Sequence, residues 1–163
     1  MGIAIYPGTF DPVTHGHLDI VKRAAHMFDK VIVAVAKENY KNPLFSVEER
    51  VDLMKTVVAN MKNVEVESFN GLLVDYCNEK EATTIIRGLR ALSDFEYEFQ
   101  MALMNRKLNS NVDTVFLMTC QRYSFISSSI IKQVATLGGS VSEFVPEQVV
   151  DALARTFNRT DLK

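Results

Sequence analysis

Residues 31–36 read VIVAVA, six apolar side chains in succession. A strand with one wet face alternates apolar and polar residues, whereas a parallel strand covered on both faces is apolar throughout. This run therefore predicts a buried parallel strand with helices packed above and below it. Similar short apolar runs, separated by helical patterns, predict four further strands at residues 3–6, 64–69, 83–86 and 112–118.

Helical patterns fill the spaces between these strands, at residues 16–28, 46–61, 72–80, 93–108, 127–137 and 146–157. The S-x-x-E capping box, a signature of helix starts, occurs at Ser46 and again at Ser93. Strands that alternate with helices favour a parallel sheet with right-handed crossovers. We expect one α/β domain over residues 1–163, with a five-stranded parallel sheet and helices on both faces.

Length and composition restrict the class of protein. The chain has 163 residues, a net charge of −2 and 47% apolar residues, which is typical of a soluble domain and gives no sign of a nucleic-acid-binding surface. No apolar run approaches the roughly 18–20 residues that span a bilayer, and the N-terminus does not resemble a signal peptide. Cys77 and Cys120 have no close partner in sequence, so we expect two buried, reduced thiols. These features favour a cytoplasmic protein that binds neither nucleic acid nor membrane.

Polar and glycine-containing segments follow the predicted strands. Pro7-Gly8 is expected to turn the chain after the first strand, ahead of His15 and His17, and Arg87-Gly88-Leu89-Arg90 is expected to follow the fourth strand. The carboxyl ends of parallel strands meet at one edge of a sheet, where open α/β folds bind ligands. Cationic side chains and helix starts at such an edge favour phosphate groups.

Each candidate also has a plain structural explanation. Serines such as Ser127 to Ser129 cap helices, Lys41 is an ordinary residue for a polar loop, and His15 points away from His17 if that segment is extended. Other phosphate-binding and hydrolytic signatures are missing from the sequence: there is no G-x-x-x-x-G-K-[ST], no G-x-G-x-x-G after the first strand and no G-x-S-x-G.

The segment Thr14-His15-Gly16-His17 matches the [HT]-x-G-H motif of the nucleotidyltransferase superfamily. From Ile5 to about Ala154 the chain resembles the bacterial phosphopantetheine adenylyltransferases, because YPGTFDPVTHGHLDIVKRA, NPLFSVEERV, IIRGLRALSDFEYEFQMALMNRKL and YSFISSSIIK are similar to that family's motifs and occur in the same order. The resemblance implies a single-domain Rossmann-like nucleotidyltransferase fold. It also implies transfer of an adenylyl group from ATP to 4'-phosphopantetheine, giving 3'-dephospho-coenzyme A and pyrophosphate with the help of Mg²⁺.

The resemblance further implies roles for individual residues. The catalytic residues would be His17, Lys41 and Arg87. Phosphopantetheine would be held by Thr9, Lys41, Leu73 and Arg87. The ATP site would comprise Thr9, Phe10, His17, Gly88, Leu89, Arg90, Glu98, Tyr123, Ser124, Phe125, Ile126, Ser127, Ser128 and Ser129, and no residue is assigned to a metal. The family's homohexamer and its feedback ligand, coenzyme A, are expected as partners.

The chemistry explains why such a site needs no general base. The attacking group is a phosphate monoester with a second pKa of about 6, so it is already largely dianionic near neutral pH. Direct in-line attack then requires alignment and charge neutralisation, with no covalent intermediate. Three alternatives remain: a transferase of this fold that acts on nicotinamide mononucleotide or glycerol phosphate, a nucleotide sensor without catalysis, and a redox Rossmann domain, which the missing glycine fingerprint disfavours.

Overall fold

The structure is a computed structural model that describes residues 2–37, 42–90, 92–160 and 162, with the backbone alone described for residues 92–94. The described residues form one parallel sheet with strand order β3-β2-β1-β4-β5. Its strands are β1 (Ile3–Gly8), β2 (Lys30–Ala36), β3 (Val64–Phe69), β4 (Thr84–Leu89) and β5 (Asp113–Met118). The helices are α1 (His15–Met27), α2 (Val47–Val58), α3 (Leu73–Glu79), α4 (Leu92–Leu108), α5 (Ser128–Thr136) and α6 (Glu147–Phe157), and a 3-10 turn spans Gln121–Tyr123. The predicted α/β fold class is confirmed.

Strand β2 shows why its sequence is apolar throughout. Val31, Val33 and Val35 face a large core cluster that includes residues of α1, α2, α5 and α6. Ile32 and Ala34 face a smaller cluster on the other side of the sheet, which includes residues of α3. Alternate side chains of one strand thus enter two separate cores, so both faces of the strand must be apolar.

The strand order reverses between β1 and β4. The chain runs from β1 outward to β2 and β3, then crosses back to β4 on the other side of β1 and continues to β5. Strand β1 pairs with β2 along its whole length and with β4 at Ala4 and Ile5. Ligands of open α/β sheets bind at the carboxyl ends of strands beside such a reversal.

Two strands continue further than the sequence predicts. Pro7 and Gly8 pair with β2, and Arg87, Gly88 and Leu89 pair with β5. The expectation that Pro7-Gly8 turns the chain, and that Arg87 follows its strand, was therefore wrong. Pairing uses backbone groups, so proline, glycine and charged residues remain in a strand as long as one neighbouring strand continues beside them.

The helix starts agree with the sequence where they are described. Ser46 and Glu49 form the predicted capping box, with Ser46 Oγ accepting from the Glu49 amide at 3.2 Å and Glu49 Oε2 accepting from the Ser46 amide at 2.8 Å. The side chain of Ser93, where the second box was predicted, lies outside the described residues. His15 and His17 both belong to α1, so the segment is not extended. Residues two apart share one face of an extended strand but lie about 200° apart around a helix, so the two side chains do point apart, for a different reason from the one predicted.

Two further sequence predictions concern the thiols and the membrane. Both cysteines are free thiols, and Cys77 is buried as expected. The expected burial of Cys120 was wrong: this residue follows β5 and is exposed ahead of the 3-10 turn. Over the described parts of the chain, no helix has both the length and the apolar character that crossing a membrane would require.

Candidate active site

A cavity of about 460 Å³ opens at the carboxyl ends of β1 and β4, beside the reversal of strand order. It brings together residues that are far apart in sequence, from β1, α1, β4, α4 and α5. The predicted site residues that line it are Thr9, Phe10, His17, Arg87, Gly88, Arg90, Glu98, Ile126, Ser127, Ser128 and Ser129.

His17 lies in the first turn of α1 and forms a capping box with Thr14. The Thr14 hydroxyl accepts a hydrogen bond from the His17 amide at 3.3 Å, and the Thr14 amide donates to His17 Nδ1 at 3.1 Å. A backbone amide can only donate, so Nδ1 is the acceptor and the proton of the neutral ring is on Nε2. Burial, together with the charges of Arg90 and Arg87, lowers the pKa of His17 to about 4. The ring is therefore a neutral hydrogen-bond donor at physiological pH.

Phe10 holds the imidazole ring of His17 from the side. Its ring makes edge contacts with Tyr6 at a centroid distance of 5.3 Å and with His17 at 5.0 Å. Phe10 has a φ of 51°, a left-handed conformation that is uncommon for a residue with a Cβ. A Cβ on Gly8 would stand 2.8 Å from Phe10 Cζ, so only glycine leaves room for the ring. The turn after β1 is thus shaped to place an aromatic ring against His17.

Arg87 is fixed in β4 by groups from two other elements. Its Nε donates to Glu98 Oε2 of α4 at 2.6 Å, its Nη2 donates to Glu98 Oε1, and its Nη1 donates to the Pro7 carbonyl at 3.0 Å. Burial alone would lower the pKa of Arg87, but the hydrogen bonds and charge of Glu98 raise it. The guanidinium therefore stays charged and oriented at the cavity wall.

The serine segment, residues 127–129, both caps a helix and lines the cavity. Ser127 Oγ accepts from the Ile130 amide at 3.1 Å and so caps α5, which is the helix-capping role that the sequence analysis gave as the structural alternative. Ser128 Oγ donates to the Pro12 carbonyl at 2.8 Å, which fastens α5 to the turn after β1. Arg90 Nη1 donates to the Ile126 carbonyl at 3.3 Å. The start of α5 is thereby held against the cavity that Ser129 also lines.

An ion pair in the cavity wall was not predicted from the sequence. Lys132 Nζ lies 2.6 Å from Asp11 Oδ2, and both residues line the cavity. Lys132 is four residues after Ser128 in α5, so helical spacing alone could have placed it on the same face. No comparable signal marks Asp11, because an Asp-Pro pair is ordinary in a turn. Further lining residues that the sequence analysis did not assign are Tyr6, Pro7, Gly8, Thr14, Gly16, Tyr97 and Thr119.

Some predicted residues are not part of the cavity wall. Leu73 begins α3 and packs against the smaller core cluster. The Tyr123 ring lies 5.7 Å from the His15 ring, and Phe125 is 63% exposed. Leu89 and Ser124 also do not line the cavity. Lys41 lies outside the described residues, and the roles of all these residues stay predictions.

The described residues of the cavity provide few free ligands for a metal ion. Among the described residues, no group of three or more His, Cys, Asp or Glu side chains is placed to hold one. The two carboxylates that line the cavity are already paired, Asp11 with Lys132 and Glu98 with Arg87. Mg²⁺ requires near-octahedral oxygen ligands, which these residues do not supply as a set.

Comparison with known proteins identifies the family. The model of the cytidylyltransferase-like family matches residues 5–134. The phosphopantetheine adenylyltransferase of Moorella thermoacetica is 57% identical over 157 residues, covering 96% of this chain and 98% of the relative. Those of Caldanaerobacter subterraneus and Clostridium tetani are 55% and 56% identical, over 98% and 97% of this chain and 100% and 99% of their own lengths. The chain belongs to the phosphopantetheine adenylyltransferase family.

Solved structures support the fold of this family member. A protein of Vibrio parahaemolyticus described as a nicotinate-nucleotide adenylyltransferase has a TM-score of 0.72 at 18% identity, with 99% of this chain and 97% of that chain covered. A nicotinic acid mononucleotide adenylyltransferase of Plasmodium falciparum has a TM-score of 0.73 at 14% identity, with 99% and 98% covered. At such identities the likeness concerns the fold alone.

Proposed function

We propose that this chain transfers the adenylyl group of ATP to 4'-phosphopantetheine, forming 3'-dephospho-coenzyme A and releasing pyrophosphate. It belongs to a family whose members carry the name of that activity. The observation that carries the proposal is a buried neutral imidazole, protonated on Nε2, at the wall of a cavity where the cations of Arg87, Arg90 and Lys132 outnumber the carboxylates of Asp11 and Glu98. A cavity of that kind suits two substrates that both bear phosphate groups.

The reaction needs two anions aligned and charge neutralised at the phosphorus under attack. His17 would donate its Nε2 hydrogen to an oxygen of the α-phosphate as charge builds there. Arg87 would orient the attacking phosphate, since its planar fork can bind two oxygens at once. Lys41 would add a point charge near the reacting phosphate, a role that rests on the family resemblance because Lys41 lies outside the described residues. The serine segment would bind the nucleotide.

The use of Mg²⁺ is also part of the proposal. Because the cavity carboxylates are paired within the protein, we infer that the ion arrives on the phosphate oxygens of ATP and is otherwise hydrated. When bound, it would offset charge on the departing pyrophosphate.

Partners beyond the two substrates are proposed on separate grounds. Helix α4 exposes several large apolar side chains, and such exposure supports the expected burial of this helix in a homohexamer. Coenzyme A shares the pantetheine and adenylyl parts of the product, so the same cavity could hold it as a feedback ligand. Two free thiols suit the cytoplasm, where disulfides are rare.

Pyrophosphate release tests the proposal directly. The purified chain would be supplied with ATP and Mg²⁺ together with 4'-phosphopantetheine, nicotinamide mononucleotide or glycerol phosphate in parallel. Turnover with phosphopantetheine alone is expected. Turnover with another acceptor alone would retain the adenylyl transfer but refute the substrate, and ATP binding without turnover on any acceptor would favour the sensor.

A further inference from the structure

The largest nearly inaccessible side chain of the described residues belongs to Arg50 in α2, which is 1% exposed. Its hydrogen bonds go to backbone carbonyl oxygens. The guanidinium donates to Thr9 O at 2.8 Å, to Ala36 O at 3.0 Å and to Phe45 O at 3.2 Å. None of the roles derived above uses this buried cation.

The three carbonyls belong to segments at or near the cavity at the carboxyl ends of β1 and β4. Thr9 follows β1 and lines the cavity, Ala36 is the last residue of β2, and Phe45 directly precedes the N-cap of α2. One guanidinium therefore joins the carboxyl ends of two adjacent strands to the point where the chain enters α2. In sequence, Lys41 lies between Ala36 and Phe45.

Phe45 is held from its other side by the turn that follows β1. Its amide donates to Asp11 Oδ1 at 2.9 Å, and the neighbouring amide of Leu44 donates to Asp11 Oδ2 at 2.9 Å. The carbonyl of Phe45 is thus bound by Arg50 and its amide by Asp11. Because Thr9 and Asp11 belong to the same turn, the turn and the segment at residues 44–45 are fixed to each other twice.

Packing alone does not explain an arginine at this position. Burial of a cation is costly, and apolar residues of similar size often serve a core as well or better. Met54, one helical turn further along α2, is 0% exposed and lies in the same core, which shows what this face of the helix accepts. The planar fork of arginine, in contrast, can bind several oxygens in fixed directions.

We propose that Arg50 is a positioning residue for the adenylyl transfer: it fixes the Thr9 carbonyl, and with it the Thr9-Phe10 turn of the cavity, to Ala36 at the end of β2 and to Phe45 ahead of α2. This inference rests on the proposed function. Misplacement of reacting groups by about 1 Å can cost on the order of 10²-fold in rate, so a loosened turn should reduce turnover more than substrate binding.

The test compares two substitutions at position 50 with a matched control in the same helix. Arg50→Lys keeps the charge but lacks the fork, Arg50→Met removes both, and Met54→Ala damages the same core without touching the three carbonyls. For each variant, kcat, the two substrate KM values and the melting temperature would be measured, with assays run well below the melting temperature. We expect both Arg50 variants to lose about ten-fold or more in kcat with small changes in KM, while Met54→Ala lowers the melting temperature and keeps kcat within about two-fold.

A double-mutant cycle with Thr9→Ala tests the route of the effect. Thr9→Ala retains the carbonyl that Arg50 binds, so the cycle tests whether the effect reaches the substrates through the Thr9 side chain. If it does, Arg50→Lys should reduce kcat less in the Thr9→Ala background than in the wild type, since coupled residues are not additive. Independent, multiplicative losses would count against that route.

The remaining outcomes separate this inference from the proposed function. Absence of wild-type turnover with phosphopantetheine would remove the proposed function and this inference together. An active wild type with an unimpaired Arg50→Lys variant would overturn this inference alone, because the charge would then suffice without the fork. Parallel losses of melting temperature and kcat in the Arg50 and Met54 variants, or failure of both Arg50 variants to fold, would show a purely structural role.

Discussion

At the scale of single residues, the helix start determines what His17 can do. The Thr14 amide occupies Nδ1, so the exchangeable hydrogen of the neutral ring is on Nε2. Burial and the charges of two arginines lower the pKa of His17 to about 4, so the ring stays neutral and carries only this one hydrogen on nitrogen. The same motif that begins a helix therefore leaves a neutral Nε2 donor at the cavity wall.

Replacement of His17 should affect turnover more than ATP binding. We expect His17→Ala to reduce kcat on the order of 10²–10³-fold, because one hydrogen-bond donor to the transition state is lost. Pyrophosphate release at varied ATP concentration measures kcat and KM separately. His26→Ala, an exposed histidine of the same helix, is the control. An unchanged kcat with a raised KM for ATP would show that His17 serves binding alone.

The depressed pKa also predicts how stability depends on pH. Between about pH 6.5 and 4 the unfolded chain protonates His17 whereas the folded chain does not, so folding stability falls as pH falls through this window. Wild type should lose about 2 kcal/mol relative to His17→Gln between pH 7 and pH 5. Urea unfolding of both proteins at several pH values measures the difference. A constant difference across the window would contradict the depressed pKa.

The sequence could reveal some site residues and not others. His17 and Arg87 could be identified from the sequence because rare or charged residues beside glycines, next to a strand, differ from the residues of ordinary turns. Asp11 and Arg50 were not, because their meaning depends on burial and on partners 33 to 41 residues away. An aspartate in a turn and an arginine in a helix look like surface residues until tertiary contacts are known.

At the scale of elements, the order of strands and helices was predictable and the strand ends were not. Short apolar runs located all five described strands, since each must fill a core. The run IIRGL in β4 loses its apolar character at Arg87, yet the strand continues to Leu89 because β5 pairs with it there. Backbone pairing with β5 decided where β4 ends, and the sequence of one strand does not show how far the neighbouring strand extends.

The Asp11 carboxylate joins three elements, and its loss should be costly. It accepts from Lys132 of α5 and from the amides of Leu44 and Phe45 ahead of α2. Breaking one member of a buried pair leaves the others unsatisfied, so Asp11→Asn should destabilise by on the order of 3 kcal/mol. Urea unfolding at neutral pH measures this.

Variants at Lys132 provide the comparison for that measurement. Lys132→Met leaves Asp11 with its two amide donors, so we expect a smaller loss than for Asp11→Asn. The double variant should be less destabilised than the sum of the two single changes, because the pair is removed as a unit. Strict additivity would mean that the ion pair contributes no coupling.

At the scale of the whole molecule, α4 and the end of β5 expose many large apolar side chains. They are Phe95, Tyr97, Phe99, Met101, Leu103, Met104, Leu108 and Met118. Extensive exposure of large apolar residues is typical of a surface that a partner covers. Glu98, which orients Arg87, belongs to the same helix, so the surface lies close to the site in the chain.

A charge in this surface should disrupt the proposed assembly. We expect Met104→Glu to shift the mass measured by light scattering toward the 18.4 kDa of one chain, because a desolvated carboxylate in an apolar interface is costly. Leu137→Glu, which places the same charge at an exposed apolar residue outside α4, is the control and should leave the mass unchanged. A wild type that is itself monomeric would refute the homohexamer.

The strand order has a consequence for synthesis on the ribosome. Strand β1 emerges first but needs β4 for its second neighbour, and β4 begins only at Thr84. A nascent chain that has released β1, β2 and β3 therefore carries an unpaired apolar edge, which is a template for aggregation. The cavity later forms at the carboxyl end of this same edge, between β1 and β4. Protection by a chaperone during that interval would serve both the solubility of the chain and the completion of the cavity.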